Sequence, residues 1–257
     1  MKTLPTTDGF LFASYRWIIV VKVLFCKELK LILSKPPFYL ATFLITAGAG
    51  AQFFLKGSFF DYGLGSTDLN FFYSVIPYLS ILAVPALTMA QWDVGGLLFD
   101  ESLPISENQL VAGKWLAAFC SSCLMLLPGI GLPVTVSLFG NLDLAQVFAG
   151  YLGMVLFMMT ACSLCVFLGS VSPGAVAAYL LSSLALLVFN GIHLIPRSMS
   201  LPRWLSQLCQ SLSFAWHFDS ASKGIVDSRD VVFYLVATVA LLKIASGILR
   251  MRRRGCL

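Results

Sequence analysis

Between Leu144 and Pro196 lie 53 residues without a single Asp, Glu, Lys or Arg. A bilayer-spanning helix needs about 20 apolar residues, so this run is too long for one span and long enough for two. It is interrupted at Ser170-Val171-Ser172-Pro173-Gly174, where Pro and Gly suit a tight connection. The pattern predicts a hairpin of membrane helices, about residues 145–169 and 175–195. A soluble domain of this size could not readily cover every face of both. Composition agrees: 58% of residues are apolar and 11% charged, against about 25% charged in ordinary soluble domains.

The rest of the chain follows the same logic. Tyr15, Trp17, Ile18, Val21, Leu24, Phe25, Leu29, Ile32 and Leu33 recur at three- and four-residue spacings, interrupted by Arg16, Lys22, Lys27, Glu28, Lys30 and Lys35. This predicts an amphipathic helix in the membrane interface, with lysine stems snorkelling to water. The first twenty residues do not read as a cleavable signal. Pro36-Pro37 then closes the helix, and spans are expected at about 38–55, 71–91 and 115–139, before the 145–169 and 175–195 pair and a last one at 231–249. Pro77 and Pro85 fall in the second span and Pro128 and Pro133 in the third, where bends are expected. The connection 196–230 holds Trp204, Leu205, Leu208, Leu212, Phe214 and Trp216, a pattern for short helices at an aromatic membrane belt. The expected fold class is an all-α integral membrane protein. It has six transmembrane helices in a single transmembrane domain over 1–257, an N-terminal interfacial helix, and a short helix between spans two and three.

That last helix falls in the most acidic part of the chain. Residues 92–114 contain Asp93, Asp100, Glu101 and Glu107 against one base, Lys114. Gly95-Gly96 gives a flexible joint, and Ser106 followed by Gln109 resembles a capping box opening the third span. If both termini are cytoplasmic, twelve of the seventeen Lys and Arg residues lie on that side and five on the other, the expected bias. The acidic connection is placed with the termini by the even span count, not by its charge.

Several chemistries have no residues to carry them. No phosphate-cradling G-x-x-x-x-G-K-[ST] loop and no H-E-x-x-H occurs, and no nucleophile–base–acid set is visible. The C-x-x-C pairs Cys120/Cys123 and Cys162/Cys165 sit among Leu, Phe and Met and read as small polarizable packing residues. The acids fall in connections rather than spans, which argues against an ion-coupled carrier. The net charge of +5 bears on topology, and no nucleic-acid partner is expected.

Four places in the chain resemble the permease subunits of bacterial ABC-2 type ABC transporters, closest to the short six-span gliding-motility-associated and nitrous-oxide-maturation group. They are Lys27-Glu28-Leu29 with Ser34-Lys35-Pro36-Pro37-Phe38-Tyr39; Ile76-Pro77 with Val84-Pro85-Ala86-Leu87-Thr88-Met89; Leu103-Pro104-Ile105-Ser106 with Val111-Ala112-Gly113-Lys114; and His217-Phe218 with Lys223-Gly224-Ile225-Val226-Asp227 and Arg229-Asp230-Val231. Their order and spacing cover almost the whole length.

The resemblance implies a multi-pass inner-membrane permease with both termini cytoplasmic, which is not itself an enzyme and binds no cofactor. It would pair with a second permease copy or a related one. ATP and Mg would be bound and ATP hydrolysed on a separate cytoplasmic ATPase subunit. The N-terminal helix and the helix between spans two and three would couple the two, giving an expected coupling surface of Glu28, Trp92, Asp93, Gly95, Gly96, Asp100, Glu101 and Glu107. Here the chain departs from the family: the usual T-M-R is Thr88-Met89-Ala90, and the usual E-E-x-x-x-G-T-L-E becomes a stretch with Trp92-Asp93, Gly96 and a displaced Asp100. A plain solvated face for the acids and a simple flexible corner for the glycines stand beside this reading. The alternative function is a non-transport membrane scaffold or assembly factor. The apolar spans name no substrate.

Overall fold

The computed structural model describes residues 7–56, 69–93, 95, 105–139, 144–195 and 202–254, with side chains from Trp17 onward. These residues are helical, and no strand occurs among them. The helices are α1 (Thr7–Leu33), α2 (Pro36–Lys56), α3 (Asn70–Ser74), α4 (Ile76–Thr88, continued by a 3₁₀ turn at Met89–Trp92), α5 (Glu107–Leu126), α6 (Gly131–Phe139), α7 (Leu144–Val171), α8 (Ala175–Gly191), α9 (Arg203–Leu212), α10 (Phe214–Ser222) and α11 (Ser228–Arg253).

Five stretches are long and apolar enough to cross a membrane: Pro36–Leu55, Glu107–Leu138, Leu144–Val171, Ala175–Leu194 and Ser228–Arg253. They are compatible with a multi-pass membrane protein. The remaining apolar helix, Ile76–Trp92, is shorter, about 25 Å at 1.5 Å per residue against a hydrocarbon core of about 30 Å. The expected span at 71–91 is therefore segmented. Its break falls at Val75, and Pro77 sits in the first turn of α4, where its missing N–H costs nothing. The third expected span begins earlier than residue 115, because the Ser106 N–H donates to Gln109 Oε1 at 3.0 Å and opens a helix at Glu107. It is broken where Pro128 and Pro133 predict, by a 3₁₀ turn at Leu127–Ile130.

α7 is the hub. Two thirds of its apolar window is buried inside the protein, whereas the other four long stretches bury a third or less. It packs against α4, α5, α8, α10 and α11. Small residues make this possible. A methyl group at Gly150 would land in the Tyr73 ring, and one at Gly169 would land in the Trp92 indole. In lipid, where apolar burial drives little association, close approach and buried hydrogen bonds hold helices together. Thr160 Oγ1 on α7 donates to Tyr234 O of α11 at 3.1 Å. Asn190 Nδ2 on α8 donates to Pro77 O of α4 at 2.7 Å.

The helices alternate in direction. At one end, the end of α4 (Trp92), the start of α5 (Leu110, Val111), the end of α7 (Val166), the start of α8 (Ala178) and the end of α11 (Ala245, Leu249) form a hydrophobic cluster with Leu24 of α1. At the other end, Ser222 Oγ donates to Asn70 Oδ1 at 3.0 Å and Gln146 Nε2 donates to Ser222 O at 3.3 Å. Asp93, Ile105 and the basic C-terminal end of α11 thus share one end of the bundle.

The hub role of α7 gives the first prediction. Gly169→Leu forces the Trp92 indole out of its seat, and overpacking of this kind costs about 1–3 kcal/mol or more. Thermal unfolding in detergent, followed by size-exclusion, should show a clearly lowered midpoint. The same change at Gly247, where an added Cβ meets nothing within 4 Å, should leave it nearly unmoved.

Candidate functional site

The end of the bundle that gathers α1, α4, α5 and α11 contains its most heavily charged buried contacts. The stripe Val21, Leu24, Glu28, Ile32 runs down one face of α1, and all four residues are buried. α1 lies along α5, and at Gly113 an added Cβ would stand 2.8 Å from Leu24 Cβ. That approach brings the side chain of Glu28 to Lys114. Both are 1% exposed, and Lys114 Nζ donates to Glu28 Oε1 at 3.2 Å.

Lys114 is held from a second side. Its Nζ donates to Gln91 O at 2.9 Å, and Gln91 Nε2 donates back to Lys114 O at 3.0 Å. The ammonium also lies 5.2 Å from the centre of the Trp92 ring, within reach of a cation–π attraction. Trp92 is fully buried against Gly169 of α7. A pair of charges in this setting repays its desolvation only if further hydrogen bonds complete it, and Gln91 supplies them. Even so, Glu28 Oε2, Gln91 Oε1 and Trp92 Nε1 are buried without a hydrogen-bond partner among the described residues. The joint is polar, and part of its hydrogen-bonding capacity is unused.

The expected surface residues therefore separate. Glu28 and Trp92 face the interior, not a surface. Glu28 occupies the apolar stripe of α1 because the buried Lys114 pairs with it, with the exposed Lys27 at 3.5 Å, and Trp92 is buried because Gly169 leaves room for it. Glu107 is partly exposed and bound within the chain, its carboxylate 3.6 Å from Arg253 Nη1 and 3.9 Å from Arg250 Nε. Arg253 Nη1 also donates to Ile105 O at 2.6 Å. Glu107 and the basic tail thus neutralise one another. Asp93 and Gly95 are exposed. Gly96, Asp100 and Glu101 lie outside the described residues.

Two residues of the joint, Gln91 and Lys114, are not among those expected from the sequence. The signal for Lys114 is its place, a single base at the mouth of an otherwise uncharged span. Gln91 carries no such signal, because its role rests on a backbone carbonyl 23 positions away. The expected C-x-x-C packing residues are free thiols among the described cysteines, and Cys162 and Cys165 are buried in α7. No group of three His, Cys, Asp or Glu residues placed to hold a metal ion occurs among the described residues. Neither protein-family models nor curated proteins match this chain.

The arrangement joins three helices through one ammonium, so displacing the end of α4 strains α1 and α5 together. Lys114→Met leaves the buried Glu28 carboxylate with only the exposed Lys27, 3.5 Å away, as counter-charge. Breaking one partner of a buried pair costs about 3–5 kcal/mol. Unfolding in mixed micelles should show a loss of that order, and a loss below about 1 kcal/mol would mean that the pair does not hold the joint.

Proposed function

We propose that this chain is the membrane-spanning permease subunit of an ABC-2 type ATP-binding-cassette transporter, moving its substrate with ATP hydrolysed by a separate cytoplasmic ATPase. The supporting observation is the meeting of the motif residues that carry the resemblance. Glu28 of the K-E-L motif bonds Lys114 of the V-A-G-K motif across 86 positions, and the Thr88-Met89 motif leads directly into Gln91 and Trp92 of the same joint. In the fourth motif, His217 Nδ1 meets Asp230 Oδ1 at 2.7 Å. Residues of separate motifs are partners, as expected of positions that serve one arrangement.

On this reading the chain has six spans. The sixth is the segmented helix of α3, α4 and the Met89–Trp92 turn, whose α3 adds five residues to a short apolar core. The bundle end that holds Asp93, Ile105 and the Arg250–Arg254 tail faces the cytoplasm. A second permease completes the translocation path between the two copies.

The ATPase docks at the acidic connection. Asp93, exposed just beyond Trp92, receives the push of the closing ATPase together with Gly95, Gly96, Asp100 and Glu101. Trp92 and Gln91 pass it inward. Lys114 divides it between α5 and, through Glu28, α1. Glu107 with Arg250 and Arg253 carries it to α11. The buried residues of the expected surface thus transmit the contact rather than form it.

The experiment is to purify the chain with the ATPase encoded nearest to it and measure ATP hydrolysis in lipid nanodiscs. A stable complex is expected, with hydrolysis several-fold lower when Asp93, Asp100 and Glu101 are changed to Asn, Asn and Gln. A complex indifferent to those changes removes the acidic connection as the docking surface. Failure to form a complex with any ATPase overturns the permease reading and favours a membrane scaffold.

A further inference from the structure

A second site lies beside this joint, on the outward face of the same bundle end. α1, α5 and α11 enclose a groove of about 300 Å³. Trp17, Asn108 and Lys243 supply polar groups to its lining, and Val111, Val239 and Leu242 apolar ones. Lys243 is the one charged side chain among the lining residues, and it is exposed. It forms no ion pair among the described residues, in contrast to Arg250 and Arg253, which are matched by Glu107.

The position of Lys243 is unusual for a lysine. It interrupts an apolar helix seven residues before Arg250, about 10 Å deeper along the axis, where the Arg cluster marks the water boundary. A lysine at that depth keeps its charge only by reaching upward or by meeting a counter-charge, since ionisable groups inside a bilayer are costly. Trp17 is an indole of the kind that settles at the head-group level. Ser246, which also lines the groove, donates its hydroxyl to Lys243 O at 2.8 Å. Lys243 and Asn108 are therefore the donors left to face an incoming group, with the Trp17 indole beside them.

We infer that this groove binds the head group of one anionic phospholipid, its phosphate on Lys243 and Asn108 and an acyl chain along Val111, Val239 and Leu242. Charge complementarity selects the occupant: a cationic, donor-rich mouth over an apolar channel, open to the leaflet, matches an anionic head group with its tail. Basic pockets between membrane helices bind lipid head groups in this way. The bound lipid spans α1, α5 and α11, the helices fastened by Glu28–Lys114 and Glu107–Arg253. The inference depends on the membrane reading of the helices and not on the identity of any ATPase.

The test is native mass spectrometry of the full-length chain, offered phosphatidylglycerol and phosphatidylcholine with the same acyl chains. A basic residue near a membrane surface contributes about 1 kcal/mol towards an anionic lipid, or about fivefold. The wild-type chain should retain one phosphatidylglycerol with at least that preference. Lys243→Gln should bring the preference close to parity, Lys243→Arg should keep it, and Lys223→Gln, at the other end of the bundle, should not change it. Thermal midpoints of all three variants should match the wild type, since both lysines are exposed. An unchanged preference in Lys243→Gln overturns the site. So does equal loss in Lys223→Gln, displacement of the lipid by millimolar inorganic phosphate, or loss of a dimer in place of a lipid.

Discussion

A carboxylate and an ammonium, Glu28 and Lys114, are buried together where neither would be tolerable alone. Each is 1% exposed, and an unpaired charge at such a place costs several kcal/mol. That constraint fixes α1, which the sequence describes as a helix lying on the membrane, firmly against α5. It also fixes the end of α4, because Lys114 completes its hydrogen bonding only through Gln91. Three segments far apart in the chain share one charge, and none moves without disturbing the other two.

The two ends of the bundle are fastened by different physics. One is held by buried and half-buried ion pairs, Glu28–Lys114 and Glu107–Arg253. The other is held by part-buried neutral hydrogen bonds among Asn70, Gln146 and Ser222, with His217–Asp230 and the exposed Lys223–Asp219 ion pair beside them. Between them α7 supplies a spine whose glycines admit Tyr73 at one end and Trp92 at the other. The side chains at the ionic end are thus already seated against the central helix.

Much of the fold was legible in the sequence because hydrophobic run length and proline position are local signals. The 144–196 hairpin, the break near Pro128 and the two short helices of 196–230 all come from neighbours in sequence. The prolines of the second span signal a disturbance there: the helix is interrupted at Val75, two residues before Pro77, and Pro85 lies inside α4. Glu28 was read as an interruption of the apolar pattern of α1. Its spacing from Leu24 and Ile32, four residues to either side, in fact puts it within the buried stripe. What reverses the reading is a lysine 86 positions away, and no local pattern contains it. Trp92 has the same explanation, because its burial depends on a glycine in another helix. Asp93 and Gly95 belong to the coupling surface that the resemblance implies, and both are exposed.

The account rests on Glu28 and Lys114 acting as one unit. A double-mutant cycle with Glu28→Leu and Lys114→Met, read by equilibrium unfolding in mixed micelles, measures this directly. Residues in contact couple by about 0.5–3 kcal/mol. Each single change should be strongly destabilising, and the double variant should lose less than the sum of the two by at least about 1 kcal/mol, because no charge is left stranded. Additive losses would contradict the account, since they would mean that α1 is held to the bundle by apolar packing alone.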